Sequence, residues 1–229
     1  MEKETSETRQ RLLETAAMVF AEHGFAAATI RVIAGRARVN VAAVNYHFGG
    51  KDGLYREVIR HVRRLAYARY PTTYDLNAGA TPEERLHAYV RSFLLRTIGK
   101  ESVPGFGLLM MREMVEPTSA LDMIVDEGIR SLFDQLVVIV RLLMGEETRE
   151  DLVLACARST ISQCVFYLFG RSVISRMDPE RKFEQDDIEK ISSQITTFTL
   201  HALKGMAADK AGSVHKPEKI KSRGKRKSR

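Results

Sequence analysis

The sequence predicts an all-α protein with a small N-terminal domain of three helices, a connecting helix and a larger C-terminal helical bundle. Apolar residues recur at spacings of three and four in almost every segment, and no segment sustains the alternation of a half-buried strand. The chain has 229 residues, of which 44% are hydrophobic, and this is enough to bury a small core and a larger one. The spacing favours helices packed on helices, and the length and apolar content allow two cores.

Composition sets the predicted domain boundaries. The sequence PTTYDLNAGA at 71–80 is a turn-rich break between the two parts. We therefore expect a helical N-terminal domain in 1–50, a connecting helix in 51–70 and the bundle in 81–208. The apolar pattern stops after this point, so 209–229 is predicted to be a disordered basic tail.

Local signals delimit the individual helices. Residues 6–23 carry apolar side chains on one face, and Gly24 fits the position just past a helix end. Thr29 and Asn40 are typical N-cap residues, so a second and a third helix are expected directly after them. The remaining helices are predicted in 51–69, 82–98, 105–115, 119–144, 149–175 and 187–207.

Charge is distributed unevenly along the chain. Basic residues exceed acidic ones by five in 1–70 and by seven in 216–229, whereas acidic residues exceed basic ones by five in 71–215. This pattern favours an anionic partner that meets the ends of the chain rather than its middle. The N-terminus lacks the pattern of a signal peptide, and the wholly apolar runs are far shorter than the ~18 residues of a membrane span. A cytoplasmic protein with no membrane partner is expected.

The two cysteines predict no disulfide within the chain. Cys156 and Cys164 are eight residues apart on one predicted helix, which separates them by ~12 Å along its axis. A disulfide requires Cα atoms within about 7 Å of each other.

The stretch VAAVNYHFGGKDGLY at 41–55 contains several groups that resemble a catalytic or nucleotide-binding site. A phosphate loop requires a glycine five residues before its Gly-Lys pair and Ser or Thr after it, but Asn45 and Asp52 occupy those positions and no strand precedes them. Neither G-x-S-x-G nor H-E-x-x-H occurs, and no two histidines are four residues apart. We predict no enzyme, no cofactor and no metal. An all-α enzyme would need a titratable cluster, and the sequence offers only Arg112, Glu113, Glu116 and scattered acids.

Two short helices joined by a tight turn, with polar groups on the second, are the plan of a helix-turn-helix motif. Residues 30–37 would be the supporting helix and 41–47 the recognition helix. The segment TRQRLLETAAMVFAEHGFAAATIRVIAGRARVNVAAVNYHFGGKDGLYREVI resembles the N-terminal domain of the TetR family of bacterial repressors over about residues 6–60. The segment NVAAVNYHFGGKDGLY at 40–55, together with REMVEPTSA at 112–120, resembles the sequences of the CecR-like subgroup of this family. The resemblance implies a dimeric regulator of transcription.

The resemblance also implies which residues contact DNA. Val44 and Phe48 are expected to face inward, which leaves the small residues of the recognition helix free to enter the major groove and Asn45 free to bond a base edge. The family's phosphate contacts fall on positions such as Thr29 and Lys51. The predicted DNA-binding set is Thr29, Arg38, Asn40, Val41, Ala42, Asn45, Tyr46, His47 and Lys51.

Three of these assignments have a structural alternative. Tyr46 would then be a half-buried core aromatic, His47 would seal the turn to the next helix, and Asn45 would be an ordinary polar residue on a helix surface. Arg38 stands where the family commonly has glycine in a left-handed conformation, which costs another residue ~1 kcal/mol. Either this turn differs from the family's, or the strain is tolerated because Arg38 reaches a phosphate; we hypothesise that Arg38 is a DNA contact.

The resemblance assigns dimerisation to the last two helices, at about 149–175 and 187–207. Their apolar faces would form an intermolecular four-helix bundle, with the alternative that they only close the chain's own core. The apolar positions are Val153, Ala157, Ile161, Val165, Leu168, Phe169, Ile188, Ile191, Ile195, Phe198 and Leu203.

The same resemblance implies a pocket for a small-molecule effector among the middle helices. Methionines adapt to irregular ligands, but a methionine stripe at helical spacing belongs to a core more often than to a pocket. The predicted pocket residues are Phe106, Met110, Arg112, Glu113, Met114, Phe133, Gln163 and Tyr167.

The predicted function is a ligand-responsive repressor that leaves a palindromic operator when its effector binds, with 51–69 acting as the lever between the two parts. A regulator controlled by a protein partner, or one that activates, is the alternative. The basic run 216–229 is either a second, nonspecific DNA contact or a solvated charge run.

Overall fold

The computed structural model describes the backbone of residues 2–208 and the side chains of residues 6–208. The predicted basic tail at 209–229 lies outside the described residues. Within them the chain is all-helical and has no strand, so the predicted fold class is confirmed. The helices are α1 (Glu2–Ala27), α2 (Ile30–Ala37), α3 (Val41–Phe48), α4 (Lys51–Arg69), α5 (Pro82–Thr97), α6 (Phe106–Val115), α7 (Leu121–Ile124), a π-helical turn (Val125–Ile129), α8 (Arg130–Met144), α9 (Glu150–Met177) and α10 (Gln185–Ala208).

The predicted helix starts coincide with observed caps. Thr29 Oγ1 accepts a hydrogen bond from the Val32 amide at 3.2 Å, and Asn40 Oδ1 accepts one from the Ala42 amide at 2.8 Å. α1 leaves helical geometry at Gly24, whose φ of 76° is readily adopted only by glycine, and then continues to Ala27. The π-helical turn is an addition to the predicted pattern, because it interrupts the helix expected over 119–144.

The first hydrophobic core lies among α1 to α4. Leu12, Phe20 and Ile33 are wholly buried there, with Val44 and Leu54 contributed by α3 and α4. Residues of α6 and α7 belong to the same core, namely Phe106, Leu109 and Ile124. The N-terminal helices are therefore packed directly against part of the C-terminal bundle.

The second core lies among α5, α8, α9 and α10. It contains most of the apolar positions that were predicted to form a dimer surface, because those helices turn one face inward: Val153, Ala157, Leu168, Ile188, Ile191, Ile195 and Leu203 are buried. For these residues the alternative, closure of the chain's own core, is the correct interpretation. Phe169 and Phe198 remain exposed.

Both cysteines lie on one helix, α9, as predicted. Each thiol is free and buried. Burial raises the pKa of the Cys156 thiol and raises that of Cys164 to about 12. α9 is also long and apolar enough to cross a membrane by length and composition alone, a test that core helices of soluble proteins pass as well. Its inner face packs in the second core.

Candidate nucleic-acid interface

α3 is a short helix held by one face and open on the other. Val44 is wholly buried and Phe48 is 8% exposed, so both anchor the helix to the first core as predicted. Gly53 allows α4 to start close to it, because a Cβ there would meet the Phe48 carbonyl oxygen at 1.8 Å. α3 is thereby fixed at its last turn.

The open face of α3 carries small, amide and phenolic groups. Val41, Ala42 and Asn45 are exposed, and Tyr46 is 80% exposed. The exposure of Tyr46 excludes the alternative that it is a core aromatic. His47 is half-buried, and its ring centroid lies 5.0 Å from that of Tyr46. A helix with this surface can approach a groove closely and offer an amide to base edges.

The turn between α2 and α3 is left-handed at Arg38, the position at which the family commonly has glycine. Arg38 has φ 55° and ψ 46°, in the left-handed region, and its amide donates to the Gly35 carbonyl at 3.2 Å. The left-handed backbone costs a non-glycine residue about 1 kcal/mol. The Arg38 side chain is exposed, and no carboxylate in the described part of the chain pairs with it. Its charge is therefore free to meet an anion.

Lys51 and Arg36 make local contacts beside this surface. Lys51 Nζ donates to the Ala26 carbonyl at 3.1 Å and lies 4.6 Å from the centroid of the Phe25 ring, so it ties the start of α4 to the end of α1. Arg36 pairs with Glu22 at 2.7 Å. The hydrogen bond from Arg36 lowers the pKa of Glu22. This pair attaches α2 to α1 and was not predicted from the sequence, since its partners are on separate helices.

Arg112 connects α6 to the end of α1. Its Nε donates to the Ala21 carbonyl and its Nη2 to the Glu22 carbonyl, both at 3.0 Å. A Cβ on Gly24 would lie 3.0 Å from Arg112 Nη1, so a larger residue here would require the guanidinium to shift. The guanidinium therefore satisfies carbonyls that the helix end leaves free.

Glu113 makes the neighbouring connection to α4. It is buried and accepts hydrogen bonds from the Tyr55 hydroxyl at 2.6 Å and from the Thr118 hydroxyl at 2.9 Å. Burial, together with the hydrogen bond to Glu113, raises the pKa of Tyr55. Arg112 and Glu113 thus link the C-terminal bundle to both the first helix and the connecting helix.

The eight residues predicted to line a ligand pocket do not surround one cavity. Arg112 and Glu113 line a cavity of about 260 Å³ beside Gly24, and Gln163 lines another of about 110 Å³ between α9 and α10. The apolar side chains of α6 pack on the N-terminal helices. A buried face of this kind has the same sequence pattern as a pocket lining, so the sequence alone does not distinguish the two. Phe106 is buried in the first core, Met110 packs against it, Met114 is 45% exposed, and Phe133 and Tyr167 are half-buried against the second core.

Two family models match the chain. Residues 12–58 match the model described as bacterial regulatory proteins of the TetR family, and residues 82–206 match the C-terminal domain of the HTH-type transcriptional dual regulator CecR. The chain belongs to the TetR family of bacterial transcriptional regulators. The predicted resemblance is confirmed, including its CecR-like character, and so is the prediction that the protein regulates transcription and is not an enzyme.

Individual relatives agree with this assignment. The chain is 22% identical to the dual regulator CecR of Shigella flexneri, over 88% of this chain and 93% of that protein. It is 37% identical to the repressor KstR2 of Mycobacterium tuberculosis H37Rv over 37% of this chain and 42% of the repressor.

Solved structures share the fold. A transcriptional regulator from Pseudomonas aeruginosa PAO1 superimposes with a TM-score of 0.65 at 21% identity, over 88% of this chain and 92% of that one. AibR, in complex with isovaleryl coenzyme A and operator DNA, superimposes with a TM-score of 0.62 at 17% identity, over 83% of this chain and 97% of that one. TetR-family proteins bind operator DNA and are typically cytoplasmic.

Proposed function

We propose that this protein is a homodimeric repressor that binds a palindromic operator in the bacterial cytoplasm and leaves it when a small molecule binds the C-terminal part. The observation that carries the proposal is the open face of α3, which is exposed, anchored from behind and flanked by the exposed cation of Arg38. Such a surface suits a polyanion with readable base edges.

The DNA contacts are proposed in two classes. Val41, Ala42 and Asn45 read base edges, because they lie on the open face of the recognition helix. The others contact phosphates and so set the register without reading sequence. This second class comprises Thr29, Arg38, Asn40, Tyr46, His47 and Lys51.

The dimer is proposed to form through the outer faces of α9 and α10. Their inner faces are satisfied in the second core, yet large apolar side chains remain exposed on the outside: Phe166 (62%), Phe169 (41%), Val173 (59%) and Phe198 (66%). Exposed apolar patches of this kind mark interfaces. A two-fold partner would cover them and place two copies of α3 on two half-sites.

Release by a ligand is proposed to act through α4. α4 joins the recognition helices to the bundle, and Glu113 of α6 holds it through Tyr55. A ligand that favours a different tilt of α4 lowers operator affinity by the difference in its affinity for the two forms. The division into a DNA-binding domain at 1–50, a lever at 51–70, a ligand-binding and dimerisation domain at 81–208 and a tail at 209–229 is part of the same proposal.

A second mode of action has support from the comparisons. The model matching 82–206 is described as that of a dual regulator, whereas KstR2 is named a repressor. Activation at some promoters is therefore the second candidate. It uses the same DNA contacts and differs in where the operator lies relative to the promoter.

Selection of bound duplexes from a random pool tests the proposal. We expect a palindromic consensus with two half-sites about one helical turn or more apart. Enrichment of no sequence, or of a single site without symmetry, would contradict it.

A further inference from the structure

A cleft on the C-terminal part has the size of a ligand site. It lies between the segment 71–80, α5 and α8, and encloses about 580 Å³. Small-molecule sites typically enclose about 300–1,000 Å³. None of the eight pocket residues predicted from the sequence lines it, because most of its wall is the irregular segment 71–80, which carries no periodic signal.

The base of the cleft is apolar. Val138 of α8 is 57% exposed although its neighbour Ile139 is nearly buried, and Tyr89 of α5 is buried with its hydroxyl bonded to the Leu132 carbonyl at 3.1 Å. Leu76 adds a half-buried side chain from the opposite wall. An apolar group placed on Val138 would remove exposed hydrocarbon from water, which is favourable in proportion to the area covered.

The rim of the cleft is polar, and its charged lining residue is a cation. Thr72 Oγ1 donates to Gln135 Oε1 at 2.8 Å, so one hydrogen bond joins the two walls. Arg85 is exposed; its Nε donates to the Ala80 carbonyl at 3.0 Å, and no carboxylate of the described residues pairs with it. The nearby acids Glu83 and Glu84 line a different cleft, against α10.

We propose that this cleft binds a small apolar anion, with its hydrocarbon part on Val138 and its anionic group at Arg85. The inference rests on the proposed function, since it gives the ligand-responsive regulator a place and a chemical class for its effector. An uncharged apolar molecule would gain the contact with Val138 but not the attraction of the guanidinium, so the site distinguishes the two classes.

The position of the cleft connects it to the lever. Segment 71–80 follows directly on α4, and the Tyr70 carbonyl between them accepts a hydrogen bond from the buried Arg96 of α5. Arg91 of α5 holds the same segment through Asp75 at 2.7 Å. A ligand that enters by parting Thr72 from Gln135 displaces the segment that follows α4, and this displacement alters the tilt of α4.

Two fluorescent probes with one skeleton test the binding. 1-Anilinonaphthalene-8-sulfonate carries an anionic sulfonate, and N-phenyl-1-naphthylamine lacks it; both are titrated against the full chain. We expect Val138→Glu to weaken both probes at least tenfold, because it puts a charge on the apolar base. Arg85→Gln should weaken the anionic probe about threefold, as expected for one exposed ion pair, and leave the neutral probe unchanged.

Leu142→Glu is the matched control, because Leu142 lies one turn after Val138 on α8, is 43% exposed and does not line the cleft. Equal losses at Leu142 and Val138, or an Arg85 variant that treats both probes alike, would overturn the site. In the wild type, saturating anionic probe should lower operator affinity, and an unchanged affinity would overturn the link to α4. Operator binding without probe is measured separately, so failure of the proposed function is distinguished from failure of the cleft.

Discussion

The open face of α3 and the outer faces of α9 and α10 are both exposed, yet their chemistry is opposite. α3 presents Asn45 and a phenol among small side chains, whereas α9 and α10 present several phenylalanines. A highly charged, hydrated partner such as DNA is read by hydrogen bonds, while a second copy of the chain is held by burial of apolar area. Exposure alone therefore does not define a site, because the type of group that is exposed indicates the partner.

The largest effect is expected at the α9 and α10 faces. The double substitution Phe166→Glu and Phe198→Glu would bury four carboxylates in the dimer, two from each chain, so we expect a monomer and a loss of operator affinity of at least about 100-fold. Sedimentation velocity measures the first and fluorescence anisotropy the second. Leu142→Glu on α8 should leave both unchanged. A stable dimer of the double variant would show that these faces are not the interface.

The second effect is expected at α3. Asn45→Ala removes the proposed base contact, and such a contact typically contributes about 1–3 kcal/mol of discrimination, so operator affinity should fall about 5- to 150-fold while binding to unrelated DNA stays constant. Competition titrations with the two kinds of DNA separate these quantities. Equal losses on both would assign Asn45 to the phosphate class instead.

These two surfaces also differ in how well the sequence predicted them. The caps at Thr29 and Asn40 depend on neighbouring residues, so the local pattern contained them, whereas the left-handed turn at Arg38 was suggested only by the family resemblance. The faces of α9 depend on which neighbour each side chain meets. Periodicity marked Leu168 and Phe169 alike as apolar, but only packing determines that the first is buried and the second exposed.

The links between the two parts of the chain were predicted least well. Arg112 bonds carbonyls about 90 residues earlier, and no spacing rule reports such a contact. The sequence marked Arg112 and Glu113 as polar residues in an apolar stripe and predicted that they line a ligand pocket. In the structure they line the small cavity beside Gly24 and also bind the end of α1 and Tyr55.

A smaller effect is expected at the turn before α3. Arg38→Gly relieves the left-handed strain, so the free energy of unfolding should rise by about 1 kcal/mol. If the guanidinium contacts a phosphate, operator affinity falls and the negative slope of log affinity against log salt becomes shallower by about 0.9. Arg38→Asn is the control, because asparagine also adopts the left-handed backbone. This variant removes the charge without introducing the flexibility of glycine. An unchanged salt slope in the glycine variant would refute the contact.

The smallest effect concerns the inner face of α9. Because burial raises the pKa of Cys164 and leaves its side chain with no exposed surface, little of the thiol is ionised or accessible at pH 8, and the thiolate is the reactive form. Iodoacetamide should therefore leave Cys164 unmodified in the native protein and modify it after unfolding, as mass spectrometry of the digested chain would show. Rapid native modification would place this face of α9 in solvent and weaken the contrast between its two sides.

In the proposed function, two copies of the chain, joined by the outer faces of α9 and α10, are needed to read one operator. Sedimentation equilibrium of the protein with its selected duplex tests this requirement most directly. We expect about 52 kDa of protein per duplex, twice the 25.9 kDa of one chain, and at least tenfold weaker binding to an isolated half-site. One chain per duplex, with equal affinity for the half-site, would contradict it.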